Sequence, residues 1–204
     1  MKIYSVHDKE FKQFGRVIQV DTTELLEAAK KVEMPESGSK YVPSLENFDG
    51  LEIKKYFQDE IFGQTPMQLG FCWGYNDTMN ALEWHTCSEI NVATKDLILL
   101  LGDIRDIEEG NKYNSKNVVA FKLKKGEAIE VYATTLHYCP IHCDAKIGFG
   151  SVVGLTQGTN TPLDKKPETP LLFSKNKWLI AHENNEALKA RGVVATIYGE
   201  NYKL

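Results

Sequence analysis

Cysteine is scarce: 4 residues in 204, Cys72, Cys87, Cys139 and Cys143, at irregular spacings. A chain this size held by disulfides needs more of them in a regular framework, so reduced thiols are expected. Long apolar runs are absent. The longest aliphatic stretch, Leu97 to Leu101, falls far short of the roughly 20 residues that cross a bilayer. The segment from Met1 to Phe11 carries charges where a signal peptide needs an apolar core. Both absences point to a cytoplasmic protein with no membrane partner. A basic excess is missing too: 24 Lys and Arg stand against 28 Asp and Glu, for a formal net charge of −4. No surplus cation remains for a phosphate backbone, so nucleic acid is not an expected partner. The sequence shows no repeat of a fixed period and no low-complexity tract.

What is present is ordinary for a globular domain, with 42% apolar and 25% charged residues. The length suits one domain spanning 1–204. Three segments differ in character: an N-terminal α/β extension over 1–65, a barrel core over 66–160, and C-terminal strands and a helix over 161–204. Asp21 followed by Glu24 reads as a helix start, and Leu25, Leu26, Ala29 and Val32 form its apolar stripe. A second helix is expected from Leu45 to Phe57 or Phe62, interrupted by Gly50. From Met67 onward, short β-branched and aromatic runs alternate with turn signals for about 100 residues without helical patterning, which indicates an antiparallel barrel or sandwich. A last helix is expected at Asn185 to Arg191, stopped by Gly192 and followed by a strand through Val193 to Tyr198.

The chemistry concentrates in two places. Glu83 and His85 stand two apart and share one face of a strand. Glu89 has the same parity, but a straight strand would carry it about 13 Å from His85, too far to share an ion. A bend at Thr86-Cys87-Ser88 is therefore needed to bring it back. Further on, Gly126 marks a hairpin, and a tight polar turn precedes a strand that begins at His137. Two imidazoles and one carboxylate, joined by Glu83, form a mixed nitrogen and oxygen set suited to a divalent transition ion with open positions for substrate. Cys139, His142 and Cys143 also cluster in sequence, as a second metal site or as buried thiols, though no Cys-x-x-Cys pair is present.

These two segments resemble the two motifs of the cupin superfamily, small double-stranded β-barrels with a metal in the mouth. The first family motif is His-x-His, three or four residues, then Glu; here Glu83 takes the place of the first histidine. The second centres on a Pro-x-Gly turn ahead of a histidine, and here Tyr132-Ala-Thr134 precedes His137, with Gly126 matching the glycine that opens the motif. A longer pattern resembles a family of roughly 200-residue bacterial cupins. It comprises Leu-Glu-Trp-His-x-x-Ser-Glu-Ile-Asn-Val from Leu82, Ala-Thr-Thr-Leu-His-Tyr from Ala133, Gly-Thr-Asn-Thr-Pro-Leu from Gly158 and Asn-Lys-Trp-Leu-Ile-Ala-His from Asn176. Some members of that family act as aldose–ketose isomerases on sulfoquinovose, the 6-sulfonated glucose of transaldolase-type sulfoglycolysis.

The resemblance implies a mainly β, cupin-like jelly-roll barrel with short N-terminal helices and a C-terminal helix, a homodimer, and a metal-dependent sugar isomerase. Its ion would be manganese, zinc, iron or nickel, held by His85, Glu89 and His137 with Glu83 as a fourth ligand or as the base. Glu83 is the first candidate for the proton shuttle and Glu130 the second. Arg105 and Lys122 are the candidate cations for an anionic sugar, with Trp84 and Tyr138 available to pack against its ring and His182 at the end of an alternating strand. The rival readings are a cupin lyase or dioxygenase acting on a small organic acid, and a sugar-binding cupin without turnover.

Overall fold

The computed structural model describes residues 1–204. In chain order its strands are β1 (Ile3–Ser5), β2 (Gly15–Ile18), β3 (Ser39–Val42), β4 (Met67–Gly74), β5 (Ala81–Trp84), β6 (Glu89–Lys95), β7 (Leu97–Asp103) and β8 (Tyr113–Asn114). They continue with β9 (Val119–Leu123), β10 (Ala128–Val131), β11 (Thr135–Leu136), β12 (Ile141–His142), β13 (Phe149–Thr156), β14 (Leu172–Ser174), β15 (Lys177–His182) and β16 (Val194–Tyr198). The α-helices are short: α1 (Thr23–Ala29), α2 (Glu52–Tyr56) and α3 (Glu186–Ala190). None is long and apolar enough to cross a membrane.

One sheet runs β2-β10-β6-β13-β4-β3, antiparallel throughout. A second runs β1-β9-β7-β11, with β12 also on β7, and a third runs β14-β15-β16-β8, with β5 on β15. Alternation decides which side chains lie between them. Ala93 of β6 and Ile129 and Val131 of β10 meet Leu97, Leu99 and Leu101 of β7 and Phe121 of β9 in one apolar cluster between the first two sheets. Ile90 and Val92, of the other parity on β6, pack outward with Leu25, Ile53 and Phe57 beneath the N-terminal helices. Ile98 and Leu100 on the back of β7 pack against Ile180 and Ile197 of the third sheet. The chain is thus the mainly β, cupin-like barrel expected, with short N-terminal helices and a C-terminal helix. The parity that places Ala93 inside also carries Glu89 and Asn91 into the barrel.

Several local expectations are corrected. The helix start read at Asp21 and Glu24 is met by α1, although the two side chains form no reciprocal cap. Thr22 holds the N-cap position of α1, Asp21 accepts from the Thr23 backbone and hydroxyl, and Glu24 reaches across to accept from the Ile53 N–H in the first turn of α2. The helix expected from Leu45 is divided: a 3-10 turn covers Glu46–Phe48, Leu51 is extended, and α2 then runs into a π-helical turn over Phe57–Ile61. Gly50 lies in that break, as its low helix propensity suggests. The middle of the chain also carries short 3-10 turns between Ile104 and Asn117. The turn at Gly126, with φ at 90°, makes no hairpin. It passes from β9 in the second sheet to β10 in the first, anchored by the Gly126 N–H on the Ala93 carbonyl at 2.8 Å. At the C-terminus Asn185 caps α3 through the Leu188 N–H, Gly192 takes the left-handed conformation, and β16 returns parallel to β15.

Candidate metal centre

β5 and the chain at His137 are held together at the barrel mouth: the Glu83 N–H donates to the His137 carbonyl at 2.6 Å and the His137 N–H returns to Glu83 at 3.0 Å. The chain leaves β5 at His85, bends at Thr86 and Cys87, and re-enters a strand at Glu89. One potential ligand atom from each of Glu83, His85, Glu89 and His137 lies within 4.8 Å of the others, and all four residues are buried. Glu89 Oε2 stands 3.5 Å from His85 Nε2 and 3.2 Å from His137 Nε2.

The imidazoles are already turned for metal binding. His85 Nδ1 donates to the Asn176 carbonyl at 2.7 Å and His137 Nδ1 to the Thr135 carbonyl at 3.1 Å. A carbonyl only accepts, so each ring carries a proton on Nδ1 and directs Nε2 at the cluster. Both Nε2 atoms are buried and make no hydrogen bond. Two buried carboxylates facing two unsatisfied nitrogens are costly without a cation, and this donor set fits a divalent transition ion. Burial disfavours charge on both His137 and Glu89, but their mutual attraction outweighs it. The Glu89 carboxylate raises the His137 imidazole to about 9. His137 and His85 together hold Glu89 well below the ordinary carboxylate range. Glu89 is further fixed by Asn91 Nδ2 at 2.9 Å, itself held by the Ser151 hydroxyl at 2.8 Å.

Glu83, Glu89 and His137 line a cavity of about 350 Å³ whose walls also include Tyr41, Tyr138, Lys40, Lys177 and Arg191. Lys177 forms an ion pair with Glu83 Oε2, and its ammonium lies 5.7 Å from the centre of the Tyr138 ring. Burial raises the Tyr41 and Tyr138 phenols above their ordinary value, which keeps both as donors. Lys177, Arg191, Lys40, Tyr41 and Asn91 stand at the site without a motif in the sequence that singles them out. Lys177 carries a usable signal, since it opens the alternating strand that ends at His182, but it has the opposite parity to His182. Leu179 pairs with Glu83 in the ladder, so the odd-numbered side chains share the cluster's face.

Tyr138 reaches the cavity as expected, and several other candidates do not. Glu130 pairs with Ile90 on β6 and so faces the helices, where Arg16 Nε binds it at 2.7 Å. Trp84 pairs with Trp178 and packs with the third-sheet core. Arg105 folds back on Asp103 through Nε at 2.9 Å, and Lys122 pairs with Asp96 at 3.0 Å. His182 is fully buried, donating to the Gly199 carbonyl and accepting from the Asn184 N–H, both at 3.2 Å. Cys139, His142 and Cys143 form no second cluster. Cys139 turns to the Ser39 hydroxyl, His142 Nδ1 accepts from the Asn76 N–H, Cys143 is exposed, and all four cysteines are free.

Asn176 is the outer support the sequence did not reveal. It sits in the left-handed region at φ 55°, where asparagine is among the few tolerated side-chain-bearing residues. Its carbonyl orients His85, its Oδ1 accepts from the Thr86 N–H at 3.0 Å and from the Thr86 hydroxyl, and its Nδ2 donates to Thr159 at 2.9 Å. Asn176→Gly keeps that backbone conformation and removes the tethers. Metal affinity measured by calorimetry is expected to fall about 10- to 100-fold, the scale of such outer-shell losses, and unchanged affinity would refute this role.

Among solved structures, the chain is similar to SnoN of nogalamycin biosynthesis, a non-heme α-ketoglutarate-dependent epimerase, at 15% identity over 82% of this chain and 84% of that one, with a TM-score of 0.43. Vicilin from Corylus avellana shares 6% identity over 82% of this chain and 41% of its own, at 0.39. The A85H mutant of salicylate 1,2-dioxygenase from Pseudoaminobacter salicylatoxidans shares 13% over 75% of this chain and 35% of its own, at 0.34. The chain thus spans less than half of the last two, and likenesses this distant assign neither substrate nor reaction. No curated protein matches the sequence. The model of the family described as a domain of unknown function, DUF4867, matches residues 3–202. The chain belongs to the DUF4867 family.

Proposed function

We propose that the protein is a metal-dependent aldose–ketose isomerase acting on an anionic hexose such as sulfoquinovose. The observation that carries this reading is the buried Glu83, His85, Glu89 and His137 cluster, three of whose members line a cavity that also presents Lys40, Lys177 and Arg191. His85, Glu89 and His137 would hold the ion. When bound, the ion would act as a Lewis acid toward the C1 and C2 oxygens of an open-chain sugar. Glu83 takes the proton from C2 and returns it at C1, while the O2 proton passes to O1, converting the aldose to the ketose without net loss or gain. Tyr41 and Tyr138 supply donors to sugar hydroxyls, and Lys40 and Arg191, which are not committed to Glu83, oppose the substrate's negative group.

Two histidines and one carboxylate also suit an iron-dependent dioxygenase, so the decisive assay is run without oxygen. The metal-loaded protein is incubated with sulfoquinovose and a panel of neutral aldoses in deuterium oxide and followed by NMR. Ketose formation from the sulfonated sugar, with solvent deuterium at C1, is expected. Absence of ketose from every sugar in the panel would contradict the isomerase reading.

A further inference from the structure

Glu89 is spaced from both imidazoles as ligands of one ion are from one another, and Glu83 is not. Bonds of about 2.0 to 2.2 Å at angles between 90° and tetrahedral put neighbouring donor atoms roughly 2.8 to 3.6 Å apart. Glu89 Oε2 meets that range against both imidazoles, at 3.5 and 3.2 Å. Glu83 Oε1 lies outside it, at 3.8 Å from His85 Nε2 and 4.0 Å from His137 Nε2. Its other oxygen is occupied by Lys177, the one lysine or arginine paired with it.

Lys177 is well placed to hold that carboxylate. It opens β15, the strand paired with β5, so the ladder that positions Glu83 also positions the lysine. Its side chain is only 14% exposed, and the Tyr138 ring lies beside its ammonium. A buried carboxylate beside a divalent ion is drawn onto it unless a closer cation competes, because attraction falls with distance and low polarity strengthens the nearer partner most. We propose that Lys177 is a positioning residue that holds Glu83 out of the ion's coordination shell and so leaves the carboxylate free to carry the substrate proton. This deepens the isomerase reading and rests on the metal centre beneath it.

Cobalt(II) loading tests it without turnover, since visible absorption reports the number and kind of ligands. In Lys177→Met, Glu83 is expected to join the shell: the cobalt bands shift and cobalt binds about tenfold tighter, the scale at which outer partners act. Lys177→Arg keeps the cation and is expected to keep the wild-type spectrum, and Lys177→Met combined with Glu83→Gln is expected to return to it. In the isomerase assay, kcat of Lys177→Met falls about 100-fold with KM changed far less. Lys177→Gln carries the same expectations, so whichever neutral variant retains the wild-type circular dichroism decides. A neutral variant with the wild-type cobalt spectrum and affinity would overturn this inference and leave the metal centre standing. A wild-type protein that takes up no cobalt would overturn both.

Discussion

His137→Ala is expected to abolish metal loading and turnover together, with metal affinity falling by more than about 100-fold, beyond the loss typical of an outer-shell partner. The expectation follows from how the residue is held. Its Nδ1 proton is committed to the Thr135 carbonyl and its backbone to Glu83, which fixes Nε2 on the cluster, and alanine puts no donor atom there. The substitution also leaves Glu89 buried with His85 as its remaining imidazole partner at the cluster. Breaking a buried pair costs about 3 to 5 kcal/mol, so the metal-free variant should melt below the wild type. Calorimetric metal titration, with circular dichroism as a control for folding, checks both points. A folded variant that binds metal as the wild type does would show that His137 is not a ligand.

Glu83→Gln is expected to give the opposite pattern: one ion per chain retained, with kcat reduced about 10²- to 10⁴-fold, the range for loss of a positioned general base. Glutamine keeps the size of the side chain and can still accept from Lys177, but it cannot take up a proton. Elemental analysis beside initial rates separates the two roles open to Glu83. Metal loss matching that of His137→Ala would make Glu83 a ligand.

The four clustered residues were legible because local rules place them. Strand alternation puts Glu83 and His85 on one face, and the distance limit on a shared ion forces the bend that returns Glu89. The antiparallel middle of the chain was legible for the same reason, being written in short alternating runs. What depended on distant pairing was hidden. Gly126 reads as a hairpin in sequence, and only the partners of β9 and β10 show that the chain changes sheet there. Lys177 and Asn176 reach the site because β15 pairs with β5 almost 100 residues earlier in the chain, a register no local pattern records. Arg105 and Lys122 looked available because their partners, Asp103 and Asp96, could not be assigned to them from spacing. Glu130 looked available as a second proton shuttle because the β10 register against β6 and its Arg16 partner on β2 are both non-local.

The proposed isomerase depends on one ion bound by His85, Glu89 and His137. Its most direct test is the metal content of the purified protein, repeated after chelation and reloading with manganese, iron, nickel or zinc. One equivalent of a divalent ion per chain, removed by chelation, restored on reloading and absent from His137→Ala, is the expected result. A protein that carries no metal and binds none of the four ions would contradict the metal centre and the isomerase reading built on it.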